Sequence, residues 1–235
     1  MQQTTWKSSG ERHSGDSAME PRVEEVSGVA PNIGAAYEIT VYGTDGKVRQ
    51  VIKDDAKCYV QNFLRMFNYF FKNSLYYNYS NMISYYTTLV NSNFKNLAGS
   101  IISSAGYFNW NATGSFIAVA GAGDITAGVV VGSGSTVVTN DDYKLATIIT
   151  HGSGSGQLFY DEIAFPPIIT VGNTVTIPVK RVIQNTSSGA VTIQEIGLYV
   201  RGQSTIMILR DILSPQVVLN PGELVAIVYN QIING

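Results

Sequence analysis

Residue types that carry chemistry are sparse in this chain, which holds two histidines and one cysteine in 235 residues. His151 lies in THGSGSGQ (150–157) beside Ser153 and Ser155, the pairing that a nucleophile and its base require. That segment has no Gly-x-Ser-x-Gly elbow and no helix following the serine, so its plainer reading is an exposed glycine/serine loop with a passing histidine. His13 falls in the polar N-terminal stretch and reads as solvated. Asp161-Glu162 is the obvious acidic pair for hydrolysis of a glycosidic bond. Adjacent strand residues point to opposite faces, so the pair cannot act as two arms of one site. Asp141 and Asp142 in TNDDYKL suit a Ca²⁺ ion, but further ligands are not visible nearby, and turn chemistry explains them as well. GAGDITAG (121–128) and GSGST (132–136) lack the Gly-Lys-Ser/Thr of a phosphate loop. Their glycines are expected to permit turns or close packing of strands. Cys58, read as part of a helix between Lys57 and Tyr59, is expected to be a small buried residue. The expectation is a protein without catalytic, cofactor-binding or metal-binding residues.

Composition points the same way. Charged residues make up 14% of the chain and hydrophobic ones 45%, against roughly 25% charged in an average soluble domain. The missing charge is replaced by Ser, Thr, Asn, Gly and 14 tyrosines. Such a surface is readily desolvated and suits permanent contact with other subunits. A net charge of −2 gives no reason to expect nucleic acid or an anionic membrane as partner. No secretory signal is visible at the N-terminus, and no apolar run approaches a membrane span. The Asn-x-Ser/Thr matches at Asn78, Asn111 and Asn185 read as chance.

Three zones divide the chain. Residues 1–34 hold eight charged side chains without apolar periodicity and read as an extended arm, with Trp6 as an anchor for a neighbour's pocket. Residues 35–114 carry a β-hairpin over 37–53, turning at Asp45-Gly46. A helix follows, capped by Asp54 or Asp55, with Ala56, Val60, Phe63, Leu64, Phe67, Phe70 and Phe71 on its apolar stripe. Beyond it lies a Tyr-rich stretch with a short helix expected over 80–91. Phe63, Phe67, Phe70, Tyr85, Tyr86 and Trp110 are the interface candidates of this zone.

Residues 115–235 read as all-β, with short β-branched or aromatic runs between Gly, Asn, Pro and Ser clusters. The fold expected is mainly β: an antiparallel β-sandwich, jelly-roll or Greek-key like, with the arm, the hairpin and the helical segment attached. NTSSG (185–189) reads as a hairpin loop. TIMILRDIL and LVAIVY are apolar at neighbouring positions, as strands covered on both faces are. NPGE (220–223) is a turn. In AVTIQEIGLYV, Val191 and Ile193 have one parity, and Ile196, Leu198 and Val200 the other. A β-bulge near Gln194-Glu195 resolves this, and Glu195 at the kink then needs a structural partner such as Arg181 or Arg210.

Three segments in order, VVTNDDYKLATIITHGSGSGQLFY, VKRVIQNTSSGAVTIQEIGLY and ILRDILSPQVVLNPGELVAIVY, carry a resemblance. Their DYKL, EIGLY and RD-x-L-S-P…PGE elements resemble a pattern in structural proteins of tailed bacteriophages. DAKCYVQNFLRMFNYFF looks like the segment that precedes this domain there. The likeness covers about 137–230, more loosely 37–72, and leaves out the arm and the Tyr-rich stretch. It implies a virion component built as a β-sandwich, without enzyme activity. It would be assembled in the host cytoplasm, contact other virion proteins, and occur as a homo-oligomer or as repeated copies on a lattice. The alternative is a tail-associated adhesin that binds host glycans, with Tyr107 and Trp110 as its platform; a hydrolase is the third reading.

Overall fold

The computed structural model describes residues 32–72, 76–77, 84–85, 93–102, 117–202 and 204–235. Residues 31–235 form one compact unit. Its strands are β1 (Asn32–Tyr42), β2 (Val48–Asp55), β3 (Tyr76–Tyr77), β4 (Ser84–Tyr85), β5 (Phe94–Lys95), β6 (Ile101–Ile102) and β7 (Gly128–Gly132). They continue with β8 (Phe159–Ala164), β9 (Ile169–Val171), β10 (Thr174–Gln184), β11 (Val191–Arg201), β12 (Thr205–Leu219) and β13 (Leu224–Asn234). Among the described residues one helix, α1 (Gln61–Lys72), lies between β2 and β3. No helix among the described residues is long and apolar enough to cross a membrane.

The larger sheet has the order β2-β1-β13-β10, with β8 and β9 both on the far edge of β10; the smaller is β12-β11-β7. All strand pairings within these two sheets are antiparallel. The mainly-β antiparallel sandwich is thus the fold. β10 leads to β11 in the opposite sheet, β11 and β12 form a hairpin, and β13 returns beside β10. This is a Greek-key return.

β1 shows why the sheet lies as it does. Ala35, Tyr37, Ile39 and Val41 alternate with polar neighbours and are buried. β13 pairs along its whole length with both β1 and β10 and is a central strand of the larger sheet. The inner faces of the two sheets form the main core, including Ile39, Ile183, Ile196, Leu198 and Ile227. The outer face of the smaller sheet is covered as well: Tyr199 and Met207 pack there with Val60, Val130 and Leu145.

The irregularity expected in β11 is present. Its register against β12 jumps from Ile193↔Val217 to Glu195↔Ile212. Val191 and Ile193 before the jump, and Ile196, Leu198 and Val200 after it, all enter the main core.

Several expectations are corrected. The hairpin is no separate zone, because β1 is zipped onto β13; the chain does not divide at 114/115. Asp54 and Asp55 do not cap the helix: they stay in β2, paired with Tyr37 and Ala36. Residues 57–60 then run along β12, Val60 N–H donating to Ile208 O and Arg210 N–H to Cys58 O, so α1 starts only at Gln61. Leu64 is exposed on it. Residues 84–85 are strand, not helix. NTSSG is a corner between sheets, not a hairpin loop. Asn185, a glycosylation match in sequence, is buried there and donates to Gly189 O and Leu219 O. Within the zone read as all-β, residues 117–120 and 145–150 hold isolated bridges in place of strands. In the second segment the N–H groups of Ala146 and Thr147 are taken by the Glu195 carboxylate, so they cannot join a ladder.

Candidate functional site

The chain's most concentrated chemistry is a buried charge network where the smaller sheet meets its covering loops. Glu195 projects from β11 at the register jump and has no exposed surface. Five donors converge on its carboxylate. Gly134 N–H (3.1 Å) and Thr147 N–H (2.8 Å) reach Oε1, while Ala146 N–H (3.0 Å), Arg210 Nε (2.9 Å) and Arg210 Nη2 (2.8 Å) reach Oε2. Such a carboxylate is saturated. Arg210, on β12 opposite Gly197, also binds Asp142 Oδ2 at 2.6 Å and the Thr136 carbonyl at 3.1 Å. Burial works against the Arg210 charge, but hydrogen bonds and charge from Asp142 and Glu195 outweigh it and raise its pKa.

The glycines of GSGST make room for this network. A Cβ on Gly132 would come within 2.6 Å of Glu195 Oε1, and one on Gly134 would also strike that oxygen. Tyr199 closes the group from β11, its hydroxyl accepting the Leu145 N–H at 2.9 Å.

Asp211, the next residue on β12, points to the other face and is also fully buried. Its Oδ1 accepts the Lys57 N–H at 2.6 Å and its Oδ2 the Tyr229 hydroxyl at 3.0 Å. Burial pushes the Asp211 carboxyl above the ordinary range, against the lowering effect of those hydrogen bonds. Tyr229 is raised well above a normal phenol by burial and by Asp211. The pair fastens the 57–60 segment, and with it the start of α1, to the sandwich.

Arg181 does not pair with Glu195. It is fully buried at the opposite corner, in a cage of main-chain carbonyls. Nε donates to Asp161 O (2.7 Å), Nη1 to Val129 O (3.1 Å) and Ala127 O (3.3 Å), and Nη2 to Asp124 O (2.7 Å) and Gly121 O (3.2 Å). Its guanidinium carbon lies 4.9 Å from the Tyr160 ring centroid. No carboxylate oxygen among the described residues touches it, and burial lowers its pKa despite the nearby Tyr160 and acidic groups.

The remaining candidates are placed as follows. Asp161 and Glu162 do not face opposite sides: β8 holds one extra residue against β10, between Arg181↔Ile163 and Ile183↔Tyr160, and both carboxylates are exposed. His151 is no passing side chain. Its Nδ1 accepts the Tyr160 N–H at 3.2 Å, and its ring lies 4.9 Å from Phe159. Ser153 and Ser155 are exposed. Asp142 serves Arg210 and Thr139, while Asp141 accepts from Gln61. Among the described residues no group of three or more His, Cys, Asp or Glu is placed to hold a metal. Cys58 precedes the helix and is half-buried, with its Sγ 3.2 Å from Asn140 Oδ1. It lies at an open cleft of about 700 Å³ with Val137, Ile212 and Ser214. Phe63 is buried and stacks on Tyr59, with ring centroids 3.8 Å apart; it belongs to the core. Trp6, Tyr86, Tyr107 and Trp110 lie outside the described residues, as do the side chains of Phe67, Phe70 and Tyr85.

The sequence reading missed the carbonyl cage and the Asp211–Tyr229 pair. A signal for the latter was present, since Asp211 stands with Arg210 inside the apolar run IMILRDIL. No family model, curated protein or solved structure matches this chain.

Proposed function

We propose that the chain is a non-enzymatic structural component of a tailed bacteriophage particle. In this reading it joins, decorates or seals other virion subunits as a homo-oligomer or as repeated copies. One observation carries the proposal. The motif positions behind the phage resemblance are far apart in sequence yet converge on one buried network. Asp142 of DYKL and Glu195 of EIGLY both bind Arg210 of RD-x-L-S-P, and beside them Leu145 of DYKL packs on Tyr199 of EIGLY and donates its N–H to it. Glu223 of PGE holds a corner of the same sandwich, ion-paired with Arg49 at 2.9 Å. A motif of this kind marks how a fold is held, which is what a shared virion building block needs.

The test is the composition of the particle. Particles purified from a host that expresses the chain should contain it in fixed stoichiometry by mass spectrometry, and gold-labelled antibody should mark one structural feature. Deleting its gene should leave particles incomplete. If the chain stays in the soluble lysate and particles form unchanged without it, the reading is wrong. A polysaccharide hydrolysis abolished by Glu162→Ala would also overturn it.

A further inference from the structure

The edges of the two sheets are treated differently. The β2 edge of the larger sheet carries Arg49, Lys53, Asp54 and Asp55, and charged side chains discourage a strand edge from pairing with another chain. The β8 edge is covered by residues 120–123, through Ile163 N–H to Ala120 O and Gly123 N–H to Tyr160 O. The β12 edge is covered by residues 57–60 and the β7 edge by 147–149. β9 is the exception among the described residues. It pairs with β10 on one side only, and all three of its residues are exposed.

The chemistry of this edge is uniform. No charged residue occurs from Phe165 to Val179, nor from Leu224 to Gly235 on the neighbouring β13. Ile168 is 62% exposed, Ile169 55% and Val171 71%. With Phe165 they offer on the order of 300 Å² of apolar surface, within the range of functional patches on monomers.

The hairpin geometry fixes which backbone groups are free. β9 and β10 are joined by the two-residue loop Gly172-Asn173, closed by Val171↔Thr174, with Gly172 at φ +57°. Val171 and Ile169 therefore direct their N–H and C=O towards β10, and Thr170 between them directs both outward.

We infer that this edge is an interface with a second copy of the chain, the two β9 strands pairing antiparallel about a two-fold axis through Thr170. Thr170 of each copy then exchanges both backbone hydrogen bonds with its equivalent, and Ile169 of one lies opposite Val171 of the other. A neutral edge meets its own copy without like-charge repulsion, and antiparallel self-pairing is isologous, as a closed dimer requires. The inference deepens the proposed function by naming one contact through which copies assemble. The short strand and modest area place the dimer among weak, transient interfaces.

The experiment is solution mass by light scattering or sedimentation on the full chain across the micromolar range. The expected result is a monomer–dimer equilibrium that Thr170→Pro weakens at least tenfold. Proline removes an N–H that points out of the folded monomer, so the fold survives, which circular dichroism checks. Thr170→Val, which keeps the backbone groups, should dimerise normally. Register is tested separately: Val171→Lys and Ile169→Glu should each weaken the dimer. The double variant should restore it, because the introduced lysine of one copy then lies opposite the introduced glutamate of the other. A full chain that stays monomeric overturns the inference, as does a dimer indifferent to Thr170→Pro or without rescue in the double variant. Failure here leaves particle composition untouched, so the broader reading falls only by its own test.

Discussion

Arg181 and Arg210 are both buried arginines, and they are held in opposite ways. Arg210 meets two carboxylates, Glu195 and Asp142, which raise its pKa against the effect of burial. Arg181 meets main-chain carbonyls and an aromatic ring, and burial lowers its pKa. The first arrangement is a charge pair, in which each partner makes the other tolerable. The second is a neutral cage, in which partial charges on carbonyls stand in for water. They brace different corners: Arg210 ties the smaller sheet to the loops over its outer face, and Arg181 ties β10 to the 121–129 segment and the β8 bulge. A missing partner therefore has different consequences at the two sites. Loss of Arg210 strands a negative charge, and loss of Arg181 strands only dipoles.

The largest effect should come from this asymmetry. Arg210→Met should destabilise the fold by about 3–5 kcal/mol, because Glu195 is left charged and buried. Arg181→Met should cost less, about 1–3 kcal/mol, since it leaves unsatisfied carbonyls and removes a disfavoured buried cation. Denaturant melts of the parent and both variants at neutral pH measure the contrast. Equal losses would dissolve the distinction.

Next in size is the fit of the glycines against Glu195. Gly134→Ala should destabilise by about 1–3 kcal/mol by overpacking the carboxylate. The same substitution in a Glu195→Ala background should cost less, with the approach to the Ala146 Cβ at 2.6 Å still to be relieved, a coupling that a double-mutant cycle measures. If Gly134→Ala costs the same in both backgrounds, the glycine clears space for Ala146 and not for Glu195.

Asp211 supplies a test by pH alone. Its folded pKa is raised by burial, so the carboxyl favours the fold most while protonated. That contribution is complete below the ordinary carboxyl range and is lost as pH rises through the raised value. Asp211→Asn can keep an acceptor for the Lys57 N–H and carries no charge. The variant should gain stability relative to the parent as pH rises from about 4 to neutrality. A parallel pair of stability curves would mean that Asp211 ionises without penalty.

The same contrast explains what could be read in advance. The parity break in AVTIQEIGLYV is a property of side chains, so it exposed the bulge and the need of Glu195 for a cation. Arg210 and Arg181 both qualified, and nothing local separated them, because the partners of Arg181 are carbonyls that every residue possesses. The helix start was misplaced for a related reason. Asp54 and Asp55 are good caps locally, but pairing of β2 with β1 claims them, and that pairing depends on β13, at the far end of the sequence. NTSSG looks like a hairpin loop by composition; only the strand order shows that it crosses between sheets. Glycine spacing in GSGST carried more information than its turn reading used, since two glycines either side of Ser133 clear the space for one carboxylate.

The smallest effect belongs to the pair that resembles the Arg210 network chemically but lies at the surface. Arg201 binds Asp124 Oδ2 and the Thr126 hydroxyl, with the two charged side chains 39% and 26% exposed. Burial pushes the Asp124 carboxyl up, but hydrogen bonds from Thr126 and Arg201 and the Arg201 charge outweigh it and hold the pKa below the ordinary value. Its contribution is therefore present above the unfolded carboxyl range and lost as pH falls through the lowered value. Solvent screening limits it to about 0–1 kcal/mol. Asp124→Asn should shift the melting curve slightly at neutral pH, less in high salt, and not at all in acid. The Asp124 carbonyl, which binds Arg181, is unaffected by that change. A loss as large as that of Arg210→Met would mean that the surface pair and the carbonyl cage act as one unit, and the separation between charge pair and neutral cage would have to be redrawn.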